Sequence, residues 1–208
     1  GFVGAGLFGI GPGATLVSRG RLGSNASVVL APFEGSGGDS TLSAAIAEAL
    51  RVDLSQSTAI HLVQGPEIAD ALQHMGRPAA TPLSLEDARD VAQRTGAKAV
   101  VTGDVHAVAG GYVLTARIVD AVNGQSLAQV RETAVDDPAV IPAINRLSRA
   151  LRGKIGESLR NIRGSEPLAQ VTTASLPALR LYSAGVNAFS AGDLERSRDL
   201  LTQAVAID

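Results

Sequence analysis

The 208 residues contain no cysteine and no tryptophan, one methionine, and only four phenylalanines and two tyrosines. Without cysteine the chain has no disulfide, no thiolate metal site and no Cys nucleophile, although a core of this size needs no staples, so the redox compartment stays open. With aromatics at 3%, a broad stacking platform for bases or sugars is excluded. Charge is also scarce: 18 basic and 20 acidic side chains make 18% of the chain and leave a net charge of −2. That balance supplies no whole-molecule field for nucleic acid or an anionic membrane, so nucleic-acid binding by bulk charge is excluded. Three histidines, His61, His74 and His106, fall in a strand, a helix and a hairpin without zinc-ligand spacing, and they read as structural or exposed.

What is present is aliphatic. Hydrophobic residues make 45% of the chain, enough for one full domain plus a fragment, or for two small domains. The longest uncharged stretch, Gly1 to Ser18, is apolar and Gly-rich and meets Arg19 and Arg21. It reads as the end of a membrane span, with a linker as the alternative because Pro12 stands between two glycines. Gly4-Ala5-Gly6-Leu7-Phe8-Gly9 matches G-x-G-x-x-G formally, but no strand precedes it and no acidic residue follows at the ribose position, so a dinucleotide site is rejected.

Ser27 to Phe33 is a short β-branched run that predicts a buried strand. Leu42, Ile46, Leu50 and Leu54 then repeat on one helical face. A strand over Ala59 to Val63, a short helix from Ile68 to Met75, and a helix opened by Ser84-x-x-Asp87 and closed by Gly96 follow. Ala97 to Val108, the alternating run Tyr112 to Val119, and Gln125 to Val135 after Asn123-Gly124 predict an antiparallel three-strand meander. A long amphipathic helix is expected from Pro138 to Ile162, with Arg146, Arg149, Arg152 and Arg160 on its outer face as a possible basic contact surface.

No P-loop, nucleophile elbow or metal-ligand spacing occurs, so no catalytic, cofactor-binding or metal residue is assigned. The loop Glu34 to Asp39, between a strand and a helix start, is the one place where backbone amides could cradle a phosphate; it lacks any Lys or Arg. It is the basis of an alternative reading as a nucleotide- or phosphate-binding enzyme domain.

Val28-Val29-Leu30-Ala31-Pro32-Phe33 with its Gly/Asp loop and following helix, the block Ala88 to Asp104, and Thr115 to Gly124 resemble the amino-terminal domain of the TolB-like family, related in pattern to CsgG and FlgO lipoprotein domains. The resemblance covers about Ser27 to Ile162 and implies a binding or assembly module without a catalytic constellation. Further on, Leu181, Ala184, Gly185, Gly192, Ser197, Leu201 and Ala204 follow the spacing of a tetratricopeptide repeat, with Ser197 where Ala is usual and Leu201 where Phe is usual. That resemblance implies further repeats and a protein or peptide partner. Since the sequence starts at Gly1 and stops within a repeat pattern, a piece of a longer polypeptide is expected.

The expected architecture is an α/β domain with a mixed sheet of about five strands, flanking helices and the meander, followed by a helical hairpin of tetratricopeptide type. Its boundaries are 1–26 for the span end or linker, 27–163 for the TolB-like domain, 164–177 for a linker and 178–208 for the first repeat. The resemblance implies a non-enzymatic sensor or scaffold segment of a bacterial membrane-anchored signalling protein, carried behind a serine/threonine kinase, a cyclase or a DNA-binding output domain. The segment itself would lie at the bacterial cell membrane on its outer, periplasmic or external side, with the cytoplasmic side as the alternative, and contact the membrane through its N-terminal stretch. An envelope lipoprotein-like assembly component is the alternative.

Overall fold

The computed structural model describes residues 14–35, 40–79, 81 and 83–208. The proposed phosphate loop falls outside the described residues from Ser36 to Asp39, as does most of the proposed span. Glu34 and Gly35 simply end the first strand, β1 (Ala26–Gly35).

From β1 the chain passes through α1 (Ser40–Ser55), β2 (Ile60–Leu62), α2 (Gly65–His74) and α3 (Leu85–Thr95). The strands β3 (Ala99–Val108), β4 (Gly111–Asp120) and β5 (Ser126–Ala134) form the meander expected from the alternation and the Asn-Gly turn. The sheet order is β2-β1-β3-β4-β5, with β1 parallel to β2 and β3 and the last three strands antiparallel. β1 lies inside the sheet, and its Val28, Val29 and Ala31 are buried. A strand packed on both faces needs the continuous apolar run found in the sequence.

Each face of the sheet has its own cluster. Ile46, Leu50 and Leu54 of α1 and Ile144, Leu147 and Leu151 of α4 (Val140–Ile155) pack with Val28, Val101, Leu114 and Ile118 on one side. Val91 and Ala92 of α3 and Leu72 of α2 pack with Val29, Ala31 and Val100 on the other. α3 is held at both ends by local chemistry. The Ser84 hydroxyl accepts from the Asp87 amide and the Asp87 carboxylate from the Ser84 amide, while Gly96 closes the helix in the left-handed conformation at φ 75°.

Three expectations change. The long helix stops at Gly156, whose φ of 126° turns the chain back, and a separate helix α5 (Leu159–Gly164) follows. Arg152 therefore does not join a solvated basic face: it and Glu157 are both buried and form a bidentate ion pair, with Nε and Nη2 each 2.8 Å from a carboxylate oxygen. The stretch 164–177 is packed, for it holds α6 (Leu168–Val171), and Leu168 and Leu176 enter the main core cluster. At the other end, the Leu16 and Val17 amides donate to the Lys154 and Ile155 carbonyls and Leu16 is buried, so residues 14–18 dock on the end of α4. Among the described residues no helix is long and apolar enough to cross a membrane.

Candidate protein-binding surfaces

The last two helices, α7 (Leu176–Ser190) and α8 (Leu194–Ile207), form an antiparallel hairpin. The Ser175 hydroxyl accepts from the Ala178 amide and the Asp193 carboxylate from the Arg196 amide, giving each helix an N-cap. Gly192, at φ 82°, makes the turn between them. Small residues set the crossing: Gly185, Ser197 and Ala204 are buried, Leu181, Ala184 and Leu201 are half-buried, and Gly192 is exposed. A methyl group added at Gly185 would come within 2.8 Å of the Leu201 side chain. α7 also packs on α1, sending Leu176 and Leu179 into the main core.

The opposite side of the hairpin is open. Phe189, Leu194, Ser197, Arg198, Leu201, Thr202 and Val205 line a groove of about 550 Å³. Leu194 is 63% exposed and Val205 77%, with Phe189 and Ile207 also exposed. Burying apolar surface is worth roughly 25 cal/mol per Å², so such a contiguous face favours a covered state.

A second surface comes from the meander. Beyond the reach of α2 and α3, one sheet face carries Thr102, Asp104 and His106 on β3, Thr115 and Arg117 on β4, and Gln129, Arg131 and Thr133 on β5. Asp104 lies 3.1 Å from His106 Nε2 and 3.4 Å from an Arg117 Nη, and Glu34 is next to it in the β1 register. This cluster sits where the strand order reverses between β1 and β3, at their carboxyl ends, the usual position of a ligand crevice in an open α/β sheet. Here it is a flat, largely self-neutralised polar face. The sequence carried its signal only as Thr115 and Arg117 of β4, which alternate with the buried Ala116 and Ile118.

The remaining ionisable groups of note are structural. Burial pushes the Glu157 carboxyl up, but hydrogen bonds from Arg152, Ser57 and the Thr58 amide outweigh it and hold it at about 2. Burial pushes the nearby Asp53 carboxyl up, offset in part by Ser148 and Arg152, and one of its oxygens has no partner. Of the four arginines assigned to a basic face, Arg146 binds Glu132 at 2.8 Å and the Thr133 carbonyl, Arg149 is exposed on α4, Arg160 is exposed on α5, and Arg152 is internal. Among the described residues no group of His, Cys, Asp and Glu side chains could hold a metal ion.

No protein-family profile and no curated protein matches this chain. Among solved structures, it is similar to the LpoB C-terminal domain from Salmonella enterica, at 16% identity and a TM-score of 0.45, over 57% of this chain and 92% of that one. The LpoB C-terminal domain from Escherichia coli gives 16% identity and a TM-score of 0.48 over 53% and 83%. TolB from Acinetobacter baumannii gives 17% and 0.43 over 64% of this chain and 28% of that one. At these values the likenesses carry no inference about function.

Proposed function

We propose that the chain is a non-catalytic protein-binding module, an assembly component of the bacterial envelope, that engages its partner through the open groove of the α7–α8 hairpin. The observation that carries this reading is the groove itself, where Phe189, Leu194, Leu201 and Val205 form one apolar strip on a hairpin whose first helix, α7, is anchored to the α/β core. An amphipathic helix laid between α7 and α8 would cover it, which is both the helix-in-groove mode of recognition and the way successive helical repeats stack. The resemblance of β1, α3 and β3 to TolB-like and lipoprotein domains supports the envelope setting. A sensor segment behind a kinase or cyclase would use the same surface, and the upstream sequence separates the two: a lipidated cysteine supports the first, a kinase or cyclase followed by a span the second.

Site-specific photocrosslinking in living cells tests the reading. A crosslinker at Val205 or Phe189 should trap one recurrent protein, and the aspartate substitution Leu194→Asp should abolish the product. Crosslinks no more frequent than those from Arg196 would overturn it.

A further inference from the structure

The near-balance of charge over the whole chain hides a segregation between the two ends of the sheet. β1, β2 and β3 begin at one end, where β4 turns into β5 and where α1, α3 and α4 finish. Arg19, Arg21, Lys98, Lys154, Arg160 and Arg163 are all exposed there, and none has an ion-pair partner among the described residues. Hydrogen bonds fix them to that end. The Leu16 and Val17 amides meet the Lys154 and Ile155 carbonyls, Arg21 donates through Nη2 to Gln125 Oε1 at 3.0 Å on the β4–β5 turn, and the Lys98 amide donates to the Ser27 carbonyl at the start of β1. α5, which carries Arg160 and Arg163, is held beside the entrance to β2 by Asn161, whose Nδ2 donates to Thr58 Oγ1 at 2.8 Å.

Acidic groups at this end are few and mostly engaged. Glu157 and Asp53 are buried, the former paired with Arg152, and one oxygen of Asp120 accepts from the Val122 and Asn123 amides. Glu166 is the exposed carboxylate left there. Arg94, in the last turn of α3, does not join the group, because it lines a cleft with Glu67 and Asp70. The opposite end has the reverse sign: Glu34, Glu86, Asp136 and Asp137 are exposed, while Arg77 and Arg146 are neutralised by Asp87 and Glu132.

We propose that this basic end is a docking surface for an anionic lipid bilayer, with its lysines and arginines over the headgroup phosphates. Two observations select lipid among polyanions. The sequence from Gly1 to Ser18 is apolar, Gly-rich and without a charged side chain, and it enters the fold between Lys154 and Arg21, where the Leu16 and Val17 amides are bound. Clustered Lys and Arg beside an apolar stretch is the combination that holds a protein on an anionic membrane. Among the described residues, moreover, the aromatic side chains belong to other parts of the fold, Phe33 to the far end of β1, Tyr112 to the far end of β4, Tyr182 and Phe189 to α7, so the bases of a nucleic acid would find no stacking partner here. The surface shares no residue with the hairpin groove, and the inference goes beyond the proposed function without resting on it.

Flotation of the full chain with vesicles tests the proposal, comparing phosphatidylcholine alone with phosphatidylcholine containing phosphatidylglycerol. The chain should float with the anionic vesicles and lose that advantage at high salt, because screening shortens the reach of the charges. Lys98 and Lys154 are the only lysines of the chain. Lys98→Gln with Lys154→Gln, and separately Arg160→Gln with Arg163→Gln, should weaken binding about fivefold for each charge removed. Asp136→Asn with Asp137→Asn should not weaken it. All six positions are exposed, and an unchanged melting temperature identifies a folded variant.

The chain has no tryptophan, so a single introduced indole reports which end meets the bilayer. Val122→Trp, at a position 73% exposed on the β4–β5 turn, should shift its emission to the blue on anionic vesicles, whereas Val135→Trp, at a position 79% exposed at the opposite end, should not. No flotation, equal flotation with both kinds of vesicle, binding untouched by both glutamine pairs, or a blue shift at Val135 would overturn the proposal. So would displacement from the anionic vesicles by duplex DNA or polyglutamate at equal charge concentration, which would make the surface a site for a soluble polyanion.

Discussion

Removing either member of the Arg152–Glu157 pair strands the other charge in the core. Glu157→Gln is expected to cost about 3 to 5 kcal/mol in urea unfolding, the usual penalty for breaking a buried pair. The pair also fixes a pH dependence. Because the folded Glu157 carboxyl is held at about 2, below its ordinary 4.5, its contribution is complete above that ordinary value and is lost as pH falls toward 2. The loss amounts to about 3 kcal/mol. The acid limb of a stability profile should therefore flatten in Glu157→Gln. Asp53 works with the opposite sign, since burial raises its carboxyl and ionisation is what costs stability. Asp53→Asn should leave stability at neutral pH unchanged or higher. Gly103 faces a different constraint: a Cβ there would fall 2.2 Å from the Thr115 carbonyl and 2.3 Å from the Phe33 ring. Gly103→Ala should cost at least roughly 1 to 3 kcal/mol, read by the same denaturation.

At the scale of elements, turns and crossings carry the predictions. The β3–β4 turn is Ala109-Gly110 with φ of 41° and 88°, the sign pattern of a type I′ hairpin in which alanine is the strained member. Ala109→Asn should raise stability by about 1 kcal/mol, seen as a higher melting temperature. In the α7–α8 hairpin, the contact at Gly185 is with the movable side chain of Leu201, and alanine also favours a helix by about 1 kcal/mol over glycine. Gly185→Ala should consequently be nearly silent, while Gly185→Leu should overpack the crossing and cost roughly 1 to 3 kcal/mol. Arg196, exposed on α8, should tolerate either change.

For the whole molecule, the decisive feature is that the hairpin and the α/β sheet share one core cluster, joined through Leu168, Leu176 and Leu179. Calorimetry should show one cooperative transition for the sheet and hairpin together. Leu168→Ala, at a side chain 1% exposed, should lower it by about 2 to 5 kcal/mol. Two separated transitions would instead mark the hairpin as an independent unit. Limited proteolysis should likewise spare 164–177, because backbone anchored by buried leucines is a poor protease substrate.

The sequence alone determined what local physics controls. The small and β-branched run of β3, the period-2 run of β4, the Asn-Gly turn, the Ser84–Asp87 capping box and the four-residue leucine spacing of α1 each encode their element within a few neighbouring residues, and the structure has all of them. The hairpin of small residues was legible for the same reason. Tertiary structure decided where those elements face. An arginine at position 152 reads as solvent-exposed on a helical wheel, and only the reversal at Gly156 brings Glu157 back to bury with it. A Pro- and Ser-bearing stretch reads as a linker until Leu168 and Leu176 find a core formed jointly by α1, α4 and the sheet, segments far apart in the chain. The polar face with Asp104 and Arg117, and the edge position of β5, exist only once strand order is set, because which strand ends a sheet is a property of pairing between distant segments and of no segment by itself.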